Sequence, residues 1–203
     1  MSKAVVGMIE QFGGEVEAVI DPCVRAQVMA GSEAITAKTD GVEVALWAKG
    51  AIERLDALVC EEARMQALEN CGVNCARRNS GVIDRARARR NKFANEEAFL
   101  VAELKKPLAG MRLEREGDTL VQVYTPQAFA RPMRCYCALV KELPEGEAMS
   151  QTYCHCSKAF VRVMWEAVLG RPVSVAIQES AVSGASECRF RITPLPQPPD
   201  SCV

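Results

Sequence analysis

A single histidine, His155, and an aromatic content of only 5% leave this 203-residue chain short of several common active-site parts. With one imidazole there is no His-Glu-x-x-His zinc helix, and no Gly-x-Ser-x-Gly elbow or glycine-rich phosphate loop occurs. Net charge is also scarce. The 25 basic and 26 acidic residues sum to −1, with a pI near 6.0, so no global field recruits nucleic acid or an anionic membrane. No run of 18 apolar residues is present, which predicts no membrane-spanning helix. The opening Met1–Gln11 carries one lysine, breaks its apolar stretch at Glu10 and lacks a small-residue cleavage site. It reads as a poor secretory signal, and the expected compartment is the cytoplasm, where thiols stay reduced. Disorder is excluded by 49% hydrophobic against 25% charged residues. What the chain does have is cysteine: ten residues.

The first half reads as helices. Asp21-Pro22 supplies a cap and a first-turn proline for Cys23–Ala30, with Gly31 beyond the end. Asp40 caps a segment to Val59, in which Ala48, Ile52, Leu55 and Val59 share one face. Glu61–Asn70 continues to the cluster Cys71-Gly-Val-Asn-Cys75. Val82–Lys105 follows, with a break around Asn91–Asn95, and Pro107 and Gly110 end it. The second half changes period. Asp118–Thr125 alternates as a strand, and Met133–Leu139 and Gln151–Cys156 are extended candidates around the turn-rich Leu143–Gly146. Ser157 reads as the N-cap of a helix with Phe160, Val163, Met164, Ala167 and Val168 on one face and Gly170 as its stop. Val173, Val175 and Ile177 then alternate. Ser183-Gly184 turns the chain, and Cys188, Phe190 and Ile192 return as a strand. The Pro-rich tail 194–203 adds no element. The expectation is an α+β domain: a helical region 1–110 packed with a small antiparallel sheet and one core helix in 111–193.

Four cysteines form two pairs, Cys135-Tyr-Cys137 and Cys154-His-Cys156. In extended chain, residues two apart face one way, so a hairpin of the two segments would gather four sulfurs. A tetrahedral zinc site wants four ligands about 2.3 Å from the metal. Cys188 is a fifth candidate ligand, with core packing as the alternative, since free cysteine is often a buried small hydrophobe. Cys156, just ahead of the expected cap Ser157, lies near the positive end of a helix, a position that favours thiolate and could make it a nucleophile. Its sequence neighbour His155 would point to the opposite face of an extended segment, which disfavours a Cys-His hydrolase. A carboxylate such as Glu179 could stand in. Cys71 and Cys75 share a helix face and suit metal, redox or core roles. Cys23, Cys60 and Cys202 carry no assignment.

Seven basic residues lie between Arg77 and Lys92 against Asp84 alone. With so few aromatics for base stacking, the expectation is a solvated helix face neutralised by acids such as Glu96 and Glu97, and no nucleic-acid partner.

Tyr153-Cys-His-Cys-Ser157, the helix ending Leu-Gly-Arg-Pro172, Val173–Glu179 and Glu187-Cys-Arg-Phe-Arg-Ile192 together resemble the C-terminal core of the vinyl-reductase-type small-molecule-binding domains. The same stretch is similar to cysteine-rich relatives of the aminothiazoline-carboxylate hydrolases. The resemblance covers Met133–Ile192. It implies zinc held by cysteines and a glutamate beside a pocket for a small apolar or amphipathic ligand, with Cys188 the firmest match, Cys154 and Cys156 next, and Glu179 as the glutamate.

Three functions follow as expectations. One is a small-molecule-binding or sensor-like domain with zinc on some of Cys135, Cys137, Cys154, Cys156 and Cys188. Another is a small-molecule hydrolase using Cys156 as its catalytic thiolate. The last is an interaction subunit, a homodimer, whose cysteines merely pack.

Overall fold

The computed structural model describes residues 3–106, 109–129 and 133–196. Seven α-helices and four strands run in the order α1 (Lys3–Glu17), α2 (Pro22–Val28), α3 (Gly41–Leu58), α4 (Glu61–Arg78), α5 (Ser80–Arg90), α6 (Glu96–Leu104), β1 (Met111–Glu116), β2 (Thr119–Tyr124), α7 (His155–Leu169), β3 (Val173–Glu179) and β4 (Cys188–Pro194). The α+β class expected from the sequence is the observed one.

Local chemistry accounts for most of the boundaries. Asp21 and Asp40 each accept from a backbone N–H of the first turn, of Cys23 and Val42, which satisfies donors that a helix start leaves open. Asn95 does the same for α6 through Ala98. Ala48, Ile52, Leu55 and Val59 are all buried, as their shared face predicts. The expected break in the helical stretch Val82–Lys105 falls at 91–95 and separates α5 from α6. Gly170 ends α7 at φ +68°, a conformation its missing Cβ makes inexpensive. Pro107, part of the expected stop before β1, and the tail beyond residue 196 lie outside the described residues.

The strands form one antiparallel sheet in the order β1-β2-β4-β3. Leu120, Phe190, Ile192, Val173 and Val175 belong to a core shared with Val161, Met164, Trp165 and Val168 of α7 and with Phe99 and Leu100 of α6. Trp165 donates its indole N–H to the buried Gln122 carbonyl oxygen at 2.6 Å, and Gln122 in turn donates to Tyr124 Oη. Val121 and Val123 of β2 are also fully buried. Their strand partners are Glu114 and Arg191, and Arg112 and Arg189. Interlocked ion pairs roof them: Arg189 with Glu114 at 2.6 Å and Glu187 at 2.9 Å, Arg112 with both of those carboxylates, and Arg191 with Glu116. A second core joins α1, α3 and α4 with Leu139, Val140, Leu143, Met149, Tyr153 and Cys154. Helix α4 packs along α7 and so joins the two halves.

The two extended candidates of the second half are corrected. Met133–Leu139 forms bends and turns, and Gln151–Cys154 is a 3-10 turn that runs straight into α7. Ser150, not Ser157, accepts the capping bond, from the N–H of Thr152 at 3.3 Å, while Ser157 lies inside α7. The reason is physical. A 3-10 turn continuous with a helix moves the start upstream, and its side chains carry no alternation that marks it.

Candidate functional site

Without a hairpin, the sulfurs meet by a different route. Cys71 and Cys75 are one turn apart on α4, and Gly72 lies between them. At Gly72 the two long helices touch: a Cβ there would overlap the Cys156 carbonyl oxygen and come within 2.8 Å of Ala159 Cβ. The close approach that glycine permits brings α4's cysteines to the first turn of α7. Cys137 reaches the same neighbourhood from the 133–143 segment. Tyr153, whose ring is buried, donates its hydroxyl to Cys137 Sγ at 3.0 Å. Cys71, Cys135, Cys137 and Cys156 all pack against the core that includes Tyr153 and Cys154.

A second group lies at the end of β3. Cys154 Sγ and Ser180 Oγ are 2.9 Å apart, and the next residue, Ala181, donates its N–H to Cys188 Sγ at 3.3 Å. Arg134 donates to the Ala181 carbonyl at 3.0 Å, which ties the segment carrying Cys135 to the same dipeptide. Cys135 Sγ accepts from the Cys137 N–H at 3.5 Å. The five cysteines expected to act together are thus divided: Cys137 and Cys156 join Cys71 and Cys75, while Cys154 and Cys188 meet at Ser180-Ala181, with Cys135 between the groups. Glu179 stands apart from both. Its carboxylate is 4.0 Å from Arg189 Nε, among the ion pairs over Val121 and Val123.

The protonation of these sulfurs differs from the sequence expectation. Cys156 is the second residue of α7, yet burial pushes its thiol well above the ordinary range, and nearby Cys137, Cys71, Cys75 and Cys135 push it further. Desolvation exceeds any benefit from the helix dipole, because a thiolate in apolar surroundings loses more hydration than partial charges return. Burial raises Cys71 and Cys154 to about 12 each. It also raises Cys75, Cys137 and Cys188, and Cys135 strongly. Opposing this, donors face the sulfurs: Asn79 toward Cys75 at 3.5 Å, Tyr153 toward Cys137 and the Ala181 N–H toward Cys188, each favouring the thiolate.

His155 lies in the first turn of α7 rather than in extended chain. Its Nδ1 is 3.7 Å from Glu69 Oε1 and has no hydrogen-bond partner, while Lys158 holds that same oxygen at 2.7 Å. Burial lowers the His155 pKa, so the ring is neutral near pH 7. Among the described residues, no three His, Cys, Asp or Glu side chains already stand in an arrangement that could hold a metal ion.

Other surfaces offer less. Beside α6 and β1 is a cavity of about 40 Å³ bordered by Phe99, Leu113, Gln122 and Trp165. That is room for roughly one or two waters, far below the several hundred Å³ of ordinary ligand sites. An open groove of about 310 Å³ runs between α1 and the α2 end, along Ile9, Arg25, Met29 and Ile35. The basic stretch is partly neutralised, with a correction to the expected partners. Asp84 pairs with Arg87 and Glu103 with Arg89, whereas Glu96 pairs with Arg171 and Glu97 with Arg115. Among the described residues no helix is long and apolar enough to cross a membrane.

The sequence reading missed Tyr153, Asn79 and Ser180 as partners of sulfur. Only Tyr153 had a local signal, its place next to Cys154. The chain matches no protein-family model, no curated protein and no solved structure.

Proposed function

We propose that this chain is a metal-binding, sensor-like domain that takes zinc on thiols of Cys71, Cys75, Cys137 and Cys156. One observation carries the reading: cysteines from α4, from the 133–143 segment and from α7 meet where Gly72 lets the two helices touch. Four sulfurs are the complement a closed tetrahedral zinc site uses. Without an ion the thiols are protonated and spaced beyond ligation, and each would raise the pKa of its neighbours if ionised. A divalent cation removes that mutual penalty. Binding therefore releases protons and draws the sulfurs inward by rotation about χ1. Such coupling between an ion and the α4–α7 crossing is what a sensor requires, because the ion then favours one packing of the two helices.

The hydrolase alternative has weaker support, since Cys156 is half-buried, strongly disposed to stay protonated, and has no imidazole hydrogen-bonded to it.

Metal analysis of full-length protein purified under reducing conditions tests the proposal. The expected result is about one zinc per chain, lost in Cys71→Ser/Cys75→Ser and in Cys137→Ser. Less than about 0.2 equivalents after exposure to excess zinc, with every thiol free to react in denaturant, removes it.

A further inference from the structure

We propose that the exposed ridge formed by the last turn of α4 and by α5 is a docking surface for the phosphate backbone of a DNA duplex. The inference goes beyond the zinc reading and uses none of its cysteines.

Unneutralised charge is the first ground. From Arg77 to Lys92 stand seven basic residues and one acid, Asp84, in a chain whose total charge is −1. The positive field is therefore local to this arm. Asp84 and Glu103 take Arg87 and Arg89. Glu96 and Glu97, the acids expected to neutralise the stretch, hold Arg171 and Arg115 instead. Among the described residues, Arg77, Arg78, Arg85, Arg90 and Lys92 have no carboxylate partner. All but the half-buried Arg90 are exposed.

Shape is the second ground. Arg78, Gly81, Arg85, Ala88 and Lys92 follow at spacings of three and four, the repeat of one helix face, and all five are exposed. Main-chain bonds carry that face across the join at Asn79, whose N–H donates to the Cys75 carbonyl at 3.0 Å and whose carbonyl accepts from Val82 at 2.9 Å. Cations thus alternate with residues that have almost no side chain. A Cβ added at Gly81 would meet only the Arg85 guanidinium, at 3.5 Å. A rod can rest against the helix there, within reach of planar forks that bond phosphate oxygens in pairs. Helix α5 is about 16 Å long, and each strand of a duplex sets a phosphate every ~3.4 Å of axis, so the ridge spans about five.

The chemistry of the surface selects the class of partner. Protein interfaces have an apolar centre depleted in charge. On this arm Val82 is the one large apolar side chain exposed among the described residues. A membrane-surface helix also needs an outward apolar face, whereas Ile83 and Ala86 of α5 are turned into the core. Interfaces with nucleic acid are by contrast polar and strongly positive. Single strands are held by stacking on aromatic rings, and the one aromatic between Arg77 and Asn95, Phe93, packs edge-on against Phe99 at 5.7 Å. The ridge has no hydroxyl or amide to bond a 2′-OH, the group by which proteins select RNA. Duplex DNA, held through its phosphates and without base readout, is the ligand that remains.

The test is a fluorescence-anisotropy titration of a labelled DNA duplex of about two helical turns with the full chain at several salt concentrations. Binding without sequence preference is expected. The logarithmic salt slope should lie between about −2.7 and −4.5, for three to five phosphates. Arg85→Glu/Lys92→Glu should bind at least about tenfold more weakly and flatten the slope by about 1.8. Lys3→Glu/Lys38→Glu makes the same charge change on exposed residues elsewhere and should lose less than about threefold. Gly81→Leu/Ala88→Leu keeps every charge but fills the spaces between the cations, and should weaken binding severalfold. These side chains are all exposed, and an unchanged urea midpoint verifies the fold of each variant. Polyglutamate, phosphatidylserine vesicles and an RNA duplex, each at equal anionic charge, should compete no better than unlabelled DNA. No binding at about 50 mM salt, or equal binding by wild type and Arg85→Glu/Lys92→Glu, would overturn the inference. So would tighter binding of any of the three competitors, which would reassign the ridge to an acidic protein, a membrane surface or RNA.

Discussion

Gly72 of α4 and Cys156 of α7 meet backbone to backbone, with the α4 position too close to the Cys156 carbonyl for any side chain. Gly72→Ala therefore sets two effects against each other. Alanine favours the helix by about 1 kcal/mol, while forcing a methyl against a carbonyl and Ala159 costs on the order of 1–3 kcal/mol. Neither obstacle is a flexible side-chain end, so the clash should win, and the variant is expected to lose about 1–2 kcal/mol in urea denaturation. Gly7 in α1 is the control, because a methyl added there would meet nothing within 4 Å. Gly7→Ala should gain up to about 1 kcal/mol. Equal effects at the two positions would show that the helix crossing is not tight.

Much of the fold is legible in the sequence because periodicity and caps are local. Asp21-Pro22, Asp40 and Gly170 mark helix ends by their own side-chain and backbone chemistry, and the apolar face of α3 repeats at helical spacing. Strand β1 escapes the reading because Arg-Leu-Glu-Arg-Glu looks like exposed chain. It is a strand through its full antiparallel ladder with β2, and Arg189 and Arg191, some 75 residues later, supply its charge partners. Helix α1 escapes it too, although Val5, Ile9, Phe12 and Val16 keep a helical spacing, because Gly7, Gly13 and Gly14 weaken the local signal. The cysteine grouping is half legible. Adjacent pairs suggest common faces, but Cys154 and Cys156 diverge once their segment coils into a 3-10 turn and a helix. The partnership of Cys71 and Cys75 with α7 is a tertiary fact with no trace in spacing.

Alkaline pH should destabilise the metal-free protein. Folding raises the Cys71 and Cys154 thiols from 9.0 to about 12, with Cys135, Cys137 and Cys156 raised as well. Above pH 9 the unfolded chain loses these protons while the folded chain keeps them, so the unfolded state gains stability. The contribution is complete below pH 9 and disappears as pH climbs toward 12. Urea midpoints measured from pH 8 to 10.5 should fall steadily. Zinc-loaded protein, whose ligating sulfurs are already thiolates, should show a smaller decline. A flat profile for the metal-free chain would mean that the sulfurs are solvated.

Gln122 is one of the few buried polar residues, and its amide joins the Trp165 indole to the Tyr124 hydroxyl. Gln122→Leu fills nearly the same volume but leaves an indole N–H and a phenol in an apolar core. Each orphaned group costs on the order of 1–3 kcal/mol, so a loss of about 3 kcal/mol is expected. Only two tryptophans exist, so emission from a Trp47→Phe background reports Trp165 alone. Its spectrum should shift in the Gln122→Leu variant, and an unchanged spectrum and midpoint would show that the bond contributes nothing.

Arg189 is the centre of the ionic roof over Val121 and Val123, with Glu114 and Glu187 bonded to it and Glu116 and Glu179 within 4.0 Å. Arg189→Ala removes the cation and leaves four carboxylates facing Arg112 and Arg191. It also strips the hydrocarbon stem that helps keep β2 dry. Isolated surface pairs are worth under about 1 kcal/mol, but a half-buried hub with several partners should cost about 2 kcal/mol. Arg189→Lys should recover only part of that loss, since an ammonium cannot bond two carboxylates in the guanidinium's planar geometry. The pH dependence carries a definite sign. Hydrogen bonding to Arg189 holds the Glu114 carboxyl below its ordinary 4.5, so wild type has this stabilisation above pH 4.5 and loses it as pH falls through the depressed value. In Arg189→Ala the crowded carboxylates gain by taking up protons. The gap in urea midpoint between wild type and Arg189→Ala should therefore be largest near pH 7 and narrow toward pH 4, whereas a gap that is constant across that range would assign the whole effect to lost packing over Val121 and Val123.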